Sequence, residues 1–251
     1  TIKILYLNNN NLSSACGFYL ADSFKNNSTI EVLHLSHNKL NESGCDSFFN
    51  ILSNDNTSLL DLDISYNELS FLDFSSLSKY LNSNPPLKKL DISGNILDPQ
   101  SANSIGVTFK KLTNLEELKI NNCRITDQSI QVLIPFLNLS SIQNIEIDSN
   151  EIKIMGLMLI LKQIQVSNKL KYISYQNNSL EMLIGMFIQT LTANNSIETI
   201  NLKQNVIKED ELKQFVNASS KLNNVKIIFS KDKVPNNASE MLAGNKNIIL
   251  Q

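Results

Sequence analysis

The chain has 251 residues, with 22 Lys and Arg against 24 Asp and Glu, and a formal net charge of -2 at pH 7. Such a chain lacks the basic surface that nucleic acids or anionic membranes attract, so we expect neither partner. Its three cysteines, Cys16, Cys45 and Cys123, form no CxxC pair, which predicts no disulfide framework and favours a reducing, cytoplasmic compartment.

Short apolar segments that end in an asparagine recur along the chain. The first four are "IKILYLNNNNL" (2–12), "IEVLHLSHNKL" (30–40), "LLDLDISYNEL" (59–69) and "LKKLDISGNIL" (87–97). The next four are "LEELKINNCRI" (115–125), "IQNIEIDSNEI" (142–152), "LKYISYQNNSL" (170–180) and "IETINLKQNVI" (197–207). A weaker ninth, "LNNVKIIFSK" (222–231), has Ser230 at the asparagine position. The segments begin about 28 residues apart, which is typical of a repeat protein.

Each segment predicts a short strand followed by a turn. In the second segment Leu33 and Leu35 are two residues apart, so both face one side of the strand while His34 faces the other. Asn38 follows where the chain must turn, and an amide both donates and accepts hydrogen bonds. We therefore predict a structural ladder that satisfies buried backbone groups. Its members are Asn10, Asn38, Asn67, Asn95, Cys123, Asn150, Asn178 and Asn205.

The second half of each repeat predicts a helix. Apolar pairs four residues apart occur at Leu20/Phe24, Phe48/Leu52, Leu77/Leu81, Ile105/Phe109, Leu133/Leu137 and Ile160/Ile164. We expect about nine repeats in residues 1–231, followed in 232–251 by a terminal cap or a degenerate further repeat. The first residues already lie inside a repeat, so we expect the chain to be a fragment of a longer one.

The pattern LxxLxLxxNxL, with cysteine replacing asparagine at Cys123, resembles the leucine-rich repeat. The repeat length and the helical second half resemble its ribonuclease-inhibitor-like class. The resemblance implies an α/β solenoid curved into a horseshoe, with short parallel strands on the concave face and helices on the convex face. It covers nearly the whole chain.

Side chains between the strand leucines are expected to line the concave face. The candidate partner-binding residues there are His34, Asp61, Asp63, Tyr66, Asp91, Lys119, Glu146 and Asp148. Two interpretations remain open for this mostly acidic patch. It is either a solvated sheet face, or a docking site for a basic helix or loop with Tyr66 as an anchor.

A second candidate surface lies in the predicted helices of repeats six and seven. These helices carry apolar residues beyond one inward stripe, namely Met155, Met158, Leu159, Met182 and Met186. Methionine is flexible and polarizable and suits surfaces that adapt to a partner. The surplus indicates either local repacking of a thick core or a convex patch that another domain or subunit covers.

The motifs that carry common catalytic chemistry are missing from the sequence. It contains no GxGxxG, no GxxxxGK[ST] and no GxSxG, so we expect no cofactor and no enzymatic activity. His34 and His37 have no third ligand nearby in sequence, which argues against a metal site. The apolar run 155–161 is far shorter than the roughly 20 residues that span a bilayer.

These observations favour a non-catalytic protein-interaction scaffold within a larger complex. Families that this repeat resembles include ribonuclease inhibitors, actin-binding and capping regulators, nucleotide-sensing immune receptors and axonemal subunits, and we favour a cytoskeletal or ciliary assembly. One alternative is a GTPase-activating protein of the nuclear-transport type, with the lone arginine, Arg124, touching a phosphate. The acidic tail of that family is absent here. An enzyme inhibitor of the ribonuclease-inhibitor kind is the other alternative, although the chain has few cysteines and no tryptophan.

Overall fold

The structure is a computed structural model. It describes residues 2–55, 58–69, 71–109, 111–135, 141–178, 180, 183–222 and 225–251. Leu137, which belongs to one predicted helical pair, lies outside this range.

The described residues form ten short strands in one parallel sheet. The strands are β1 Ile4–Tyr6, β2 Val32–His34, β3 Asp61–Asp63, β4 Lys89–Asp91, β5 Glu117–Lys119, β6 Asn144–Glu146, β7 Tyr172–Ser174, β8 Thr199–Asn201, β9 Lys226–Phe229 and β10 Ile248–Leu250. Their order in the sheet is the same as their order in the chain. Each strand therefore pairs only with its neighbours in sequence, which is the arrangement of a solenoid.

A helix follows each of the first nine strands. The helices are α1 Ser14–Phe24, α2 Asn41–Asp55, α3 Phe71–Asn82, α4 Pro99–Phe109, α5 Asp127–Leu133, α6 Ile154–Val166, α7 Ile184–Ala193, α8 Glu209–Ala218 and α9 Ala238–Met241. Helices therefore cover one side of the sheet while the other side stays open. This alternation confirms the α/β solenoid expected from the repeat.

The core lies between the sheet and the helices. The middle residue of a strand, such as Leu62 or Leu90, is fully buried, whereas its neighbours in the strand remain partly exposed. Helix residues such as Phe48 and Leu77 close the core from the other side. Burying one such side chain stabilises the fold by about 1.5–3 kcal/mol, so stacked repeats share a continuous core that no single repeat could form.

The pairing register corrects the predicted alignment of the ninth repeat. Ile227 pairs with Ile200, so β9 lies two residues later than the asparagine alignment placed it. Asp232, not Ser230, is then equivalent to Asn205. Beyond β9, the one-turn helix α9 and the strand β10 follow, and β10 pairs in parallel with β9.

Candidate partner-binding surfaces

Most asparagines of the ladder are buried, and they are hydrogen-bonded across repeats. Asn95 is 1% exposed, and its Oδ1 accepts hydrogen bonds from the backbone N–H groups of Asn67 and Leu69 at 3.0 and 3.1 Å. Its Nδ2 donates to the carbonyl oxygens of Ile64 and Ile92. One amide thus joins the turn of its own repeat to the turn before it. Hydrogen bonds of the same kind occur at Asn38, Asn67, Asn150, Asn178 and Asn205.

The ladder is weaker at two positions. Asn10 is exposed, and its Nδ2 donates to the carbonyl of Asn8 in the same turn. Cys123 is buried, and its thiol lies 3.5 and 3.3 Å from the carbonyl oxygens of Ile92 and Asn121, which are ordinary distances for the weak hydrogen bonds of sulfur. Burial raises the pKa of the Cys123 thiol to about 12, so it stays protonated and acts as a weak donor.

The acidic concave patch divides into carboxylates that contact a lysine or a histidine and three aspartates that contact neither. Lys119 Nζ lies 3.2 Å from Glu146 and 3.4 Å from Glu117, and Lys89 Nζ lies 3.7 Å from Glu117. His34 Nε2 lies 3.2 Å from the Asp61 carboxylate. With the neighbouring Lys89 and Glu117 included, the patch contains six carboxylates but only two lysines, and both lysines contact glutamates. In the part of the chain that the structure describes, Asp63, Asp91 and Asp148 form no salt bridge.

These three aspartates instead hold the turn at the end of each strand. Asp63 Oδ1 accepts hydrogen bonds from the N–H and the hydroxyl of Ser65 at 2.9 and 2.7 Å. Asp91 accepts the N–H of Ser93 at 2.9 Å. The Asp148 carboxylate accepts the N–H and the side-chain amide of Gln176, both at 2.7 Å. The candidate binding carboxylates therefore also have a local structural role.

Several of these charges have shifted pKa values. Burial raises the pKa of Asp91 and the nearby Asp63 carboxylate adds to this, while hydrogen bonds from Ser93 and the charge of Lys119 oppose it. Burial also raises the pKa of Asp148. Burial lowers the pKa of Lys119, but the carboxylates of Glu146 and Glu117 outweigh it, and the net shift is upward.

The raised pKa of Asp91 predicts how stability depends on pH. A carboxyl with a raised folded-state pKa favours the native state below its unfolded pKa, and this contribution is lost as pH rises through the folded pKa. Asp91→Asn keeps the acceptor for Ser93 and removes the charge. We expect the variant to be more stable than the wild type at pH 7 and the difference to vanish toward pH 3. Urea unfolding at several pH values measures it, and a variant less stable at pH 7 would contradict the cause given for the shift.

A hollow of about 250 Å³ lies within the concave patch. It is lined by His34, Asp61, Asp63, Lys89, Leu90, Asp91, Glu117 and Lys119. We call it the concave hollow. Five of these residues, His34, Asp61, Asp63, Asp91 and Lys119, are among the predicted partner-binding residues, whereas Lys89, Leu90 and Glu117 are not. Lys89 and Glu117 occupy outward positions of β4 and β5, so the strand alternation places both on the concave face.

A wider groove of about 910 Å³ lies at the helix-to-strand edge and holds none of the predicted site residues. Among its charged residues, Lys171 and Glu198 pair with each other at 3.6 Å and Glu116 pairs with Lys88 at 3.5 Å, while Lys169 forms no salt bridge within the described residues. The rest of its lining is mostly uncharged amides and hydroxyls. We therefore regard the concave hollow, which carries unpaired carboxylates, as the better candidate site.

Tyr66 lies beside the concave patch and not on a strand. It follows β3 in a left-handed conformation with φ of 53°, and its ring stacks on the ring of His37 at a centroid distance of 4.4 Å. Tyr66 is 38% exposed. The two rings form an aromatic stack at the edge where the strands lead into the helices.

The convex methionines are less exposed than a free patch would be. Met155 is 62% exposed, but Met158 is half-buried, and Leu159 and Met186 pack against the core. Met182 lies outside the described residues. Met155 is thus the one member of the described part of this set that is mostly exposed.

Metal-binding clusters and membrane-spanning helices are both absent from the described residues. These residues contain no group of three or more His, Cys, Asp or Glu side chains arranged to hold a metal ion. Within the same residues, every helix is too short or too polar to cross a membrane.

Comparison with known proteins identifies the repeat. A family model described as "Leucine Rich repeat" matches residues 26–49 and 111–133. The solved structure of the leucine-rich repeat-containing protein LegL7 from Legionella pneumophila covers 99% of this chain, and the chain covers 82% of it. The TM-score is 0.63 at 17% identity. The chain is a leucine-rich repeat protein.

Other known proteins are similar to part of this leucine-rich repeat protein in sequence or in fold. The mouse (Mus musculus) NACHT, LRR and PYD domains-containing protein 4C is 24% identical over 166 residues, which are 65% of this chain and 17% of that protein. The match therefore spans less than a fifth of the mouse protein. Actin-binding site 2 of leiomodin-1 covers 61% of this chain, and 89% of that structure is matched, with a TM-score of 0.50 at 15% identity. The Caenorhabditis elegans tropomodulin C-terminal domain covers 59% of this chain, and 92% of that structure is matched. Its TM-score is also 0.50 and its sequence identity also 15%. At these identities the solved structures show a common fold.

Proposed function

We propose that this leucine-rich repeat protein is a non-catalytic interaction scaffold whose concave face binds a basic helix or loop of a partner protein. The surplus of carboxylates over lysines on the concave patch carries this proposal. Asp63, Asp91 and Asp148 form no salt bridge among the described residues, so the patch keeps a net negative charge. Such a surface attracts a positively charged segment and orients it.

The geometry of the patch favours binding over catalysis. The concave hollow of about 250 Å³ is smaller than most small-molecule sites, which measure roughly 300–1,000 Å³. Its carboxylates lie on a sheet face and are held by Ser65 and Ser93. Carboxylates fixed in this way are suited to recognising a cation.

The finer proposal is that the scaffold belongs to a cytoskeletal or ciliary assembly. Support comes from the fold shared with actin-binding site 2 of leiomodin-1 and with the tropomodulin C-terminal domain. Co-sedimentation with filamentous actin and with microtubules tests it. Binding to neither filament would overturn the cytoskeletal and axonemal proposal and leave the scaffold proposal intact.

A charge-removal variant tests the concave face. Asp63→Asn combined with Asp91→Asn keeps both hydrogen-bond acceptors and removes two charges. We expect a lysine-rich helical peptide to bind this variant about tenfold more weakly than the wild type, because two unpaired carboxylates no longer attract it. Fluorescence anisotropy of the labelled peptide measures the affinity.

The matched control removes two carboxylates elsewhere. Asp22 and Asp210 are exposed on α1 and α8, so Asp22→Asn with Asp210→Asn removes the same amount of negative charge. An equal loss of peptide affinity in both variants would mean that total charge, and not the concave patch, attracts the peptide. That result would overturn the concave proposal.

A further inference from the structure

A second hollow, of about 310 Å³, lies at the strand-to-helix edge of the solenoid. It is lined by Glu68, Gly94, Asn95, Ile96, Asn122 and Arg124. We call it the edge hollow. It shares no residue with the concave hollow, and it spans three successive repeats, with Glu68 in the third, Gly94 and Ile96 in the fourth and Arg124 in the fifth.

The floor of the edge hollow depends on Gly94. This residue has a left-handed φ of 69°, and a Cβ there would lie 2.3 Å from Cδ1 of Tyr66. The Tyr66 ring thus occupies the space where a side chain at position 94 would begin. The stacked rings of His37 and Tyr66 therefore pack against the backbone of Gly94. At this position the fourth repeat lines the edge hollow with backbone alone.

Two opposite charges flank this floor without pairing. Glu68 and Arg124 are both exposed, and neither forms a salt bridge within the described residues. Elsewhere opposite charges in adjacent repeats do pair, as Lys119 and Glu146 do at 3.2 Å. Glu68 and Arg124 are two repeats apart, so their backbones are separated by about 10 Å, twice the spacing of neighbouring strands.

An apolar side chain lies in the repeat between the two charges. Ile96 is 47% exposed and lines the same hollow. Tyr66 lies beside Gly94, and Arg124 lines the hollow. Tyrosine and arginine are, with tryptophan, the residue types most enriched at hot spots of protein–protein interfaces. The edge hollow thus combines an apolar centre, an aromatic neighbour and two unpaired charges of opposite sign.

The backbone at the two charged residues is also unusual. Glu68 and Arg124 have left-handed φ values of 59° and 54°, which cost an L-residue about 1–2 kcal/mol each. Each of these residues directly follows the ladder position of its repeat. Ile96 and Glu151 hold the same place in the fourth and sixth repeats and have no positive φ, so the repeat does not require a left-handed residue there. Asn11 shares it, and asparagine tolerates it well. Strain of this kind is concentrated at functional sites.

We propose that the edge hollow binds a helical segment of a partner protein that carries an acidic residue, an apolar residue and a basic residue along one face. The acidic residue lies against Arg124, the apolar residue against Ile96, and the basic residue against Glu68. Residues i and i+7 of a helix are about 10 Å apart along its axis, which matches the separation of the two charges. Residue i+3 or i+4 lies between them on the same face.

Three synthetic helical peptides of about 18 residues test this assignment. All carry leucine at i+4, and positions i and i+7 hold Glu and Lys, two Lys, or two Glu. We expect the wild type to prefer the mixed peptide about fivefold, because only this peptide complements both charges. Arg124→Glu should shift the preference to the two-lysine peptide, and Glu68→Lys should shift it to the two-glutamate peptide. NMR titration of the labelled protein measures the affinities and shows where each peptide binds.

Two controls make the outcome decisive. Glu151→Lys changes an exposed charge at the equivalent position of the sixth repeat and should leave the preference unchanged. Asp63→Asn with Asp91→Asn should also leave it unchanged, so failure at the edge hollow is separable from failure of the concave proposal. Binding of none of the peptides overturns the assignment. So does an unchanged preference in Arg124→Glu, provided that its circular dichroism and unfolding transition match the wild type.

Discussion

Replacing Asn95 with alanine is expected to lower the free energy of unfolding by about 3–5 kcal/mol. The amide of Asn95 is buried and accepts the N–H groups of Asn67 and Leu69 while donating to the carbonyls of Ile64 and Ile92. Alanine leaves these backbone groups without partners in a dry interior, and each orphaned group costs about 1–3 kcal/mol. Urea unfolding followed by circular dichroism measures the loss.

The ladder itself supplies the matched controls. Asn10 is exposed and its amide bonds only within its own turn, so Asn10→Ala should cost less than about 1 kcal/mol. The loss for Asn95→Cys should lie between these values, because Cys123 shows that a thiol fits the position but forms only weak hydrogen bonds. A loss at Asn95 no larger than the loss at Asn10 would contradict the structural role of the ladder.

The fold was predictable because the same alternating apolar pattern recurs independently in each repeat. In a strand, alternate residues face opposite sides, so the leucines of "VLHL" reveal both the buried face and the open one. Eight agreeing copies then outweigh the ambiguity of any single short segment. The side chains of the concave patch follow from the same alternation, since His34, Asp63 and Asp91 are the residues between the leucines.

The register of the ninth repeat shows where this reasoning ends. A shift of two residues keeps every side chain on its original face, so the apolar pattern of 222–231 fits both alignments equally well. Only the pairing of Ile227 with Ile200 selects one of them. The number of residues in the preceding connection decides the register, and no pattern within the strand records it.

The candidate sites depend on relations between repeats that composition does not reveal. The lysines of the concave patch neutralise Glu117 and Glu146 and leave Asp63 and Asp91 unpaired, because the pairing follows from side-chain lengths across neighbouring strands. The edge hollow needs Gly94 beneath Tyr66, two residues from adjacent repeats whose contact depends on left-handed turns. A glycine directly before a ladder asparagine was the available signal.

The second large effect is expected at Gly44, where helices α1 and α2 touch through their backbones. A Cβ at Gly44 would lie 2.2 Å from the carbonyl oxygen of Ser14, and one at Gly17 would lie 2.2 Å from the carbonyl oxygen of Gly44. Backbone atoms cannot rotate away as a side chain does, so Gly44→Ala must push the helices apart. We expect a loss of about 2–3 kcal/mol in the free energy of unfolding, despite the higher helix propensity of alanine.

Two other helical glycines provide a graded control for that substitution. A Cβ at Gly185 would meet no atom within 4 Å, so Gly185→Ala should stabilise the protein by about 0.5–1 kcal/mol. At Gly106 the nearest atom is the carbonyl oxygen of Val132 at 3.0 Å, and we expect a change near zero because crowding offsets propensity. Thermal unfolding of the three variants measures the order of their stabilities. If Gly44→Ala proved as stabilising as Gly185→Ala, α1 would be free to move against α2, and the first repeat would not be held in the close packing that the two glycines indicate.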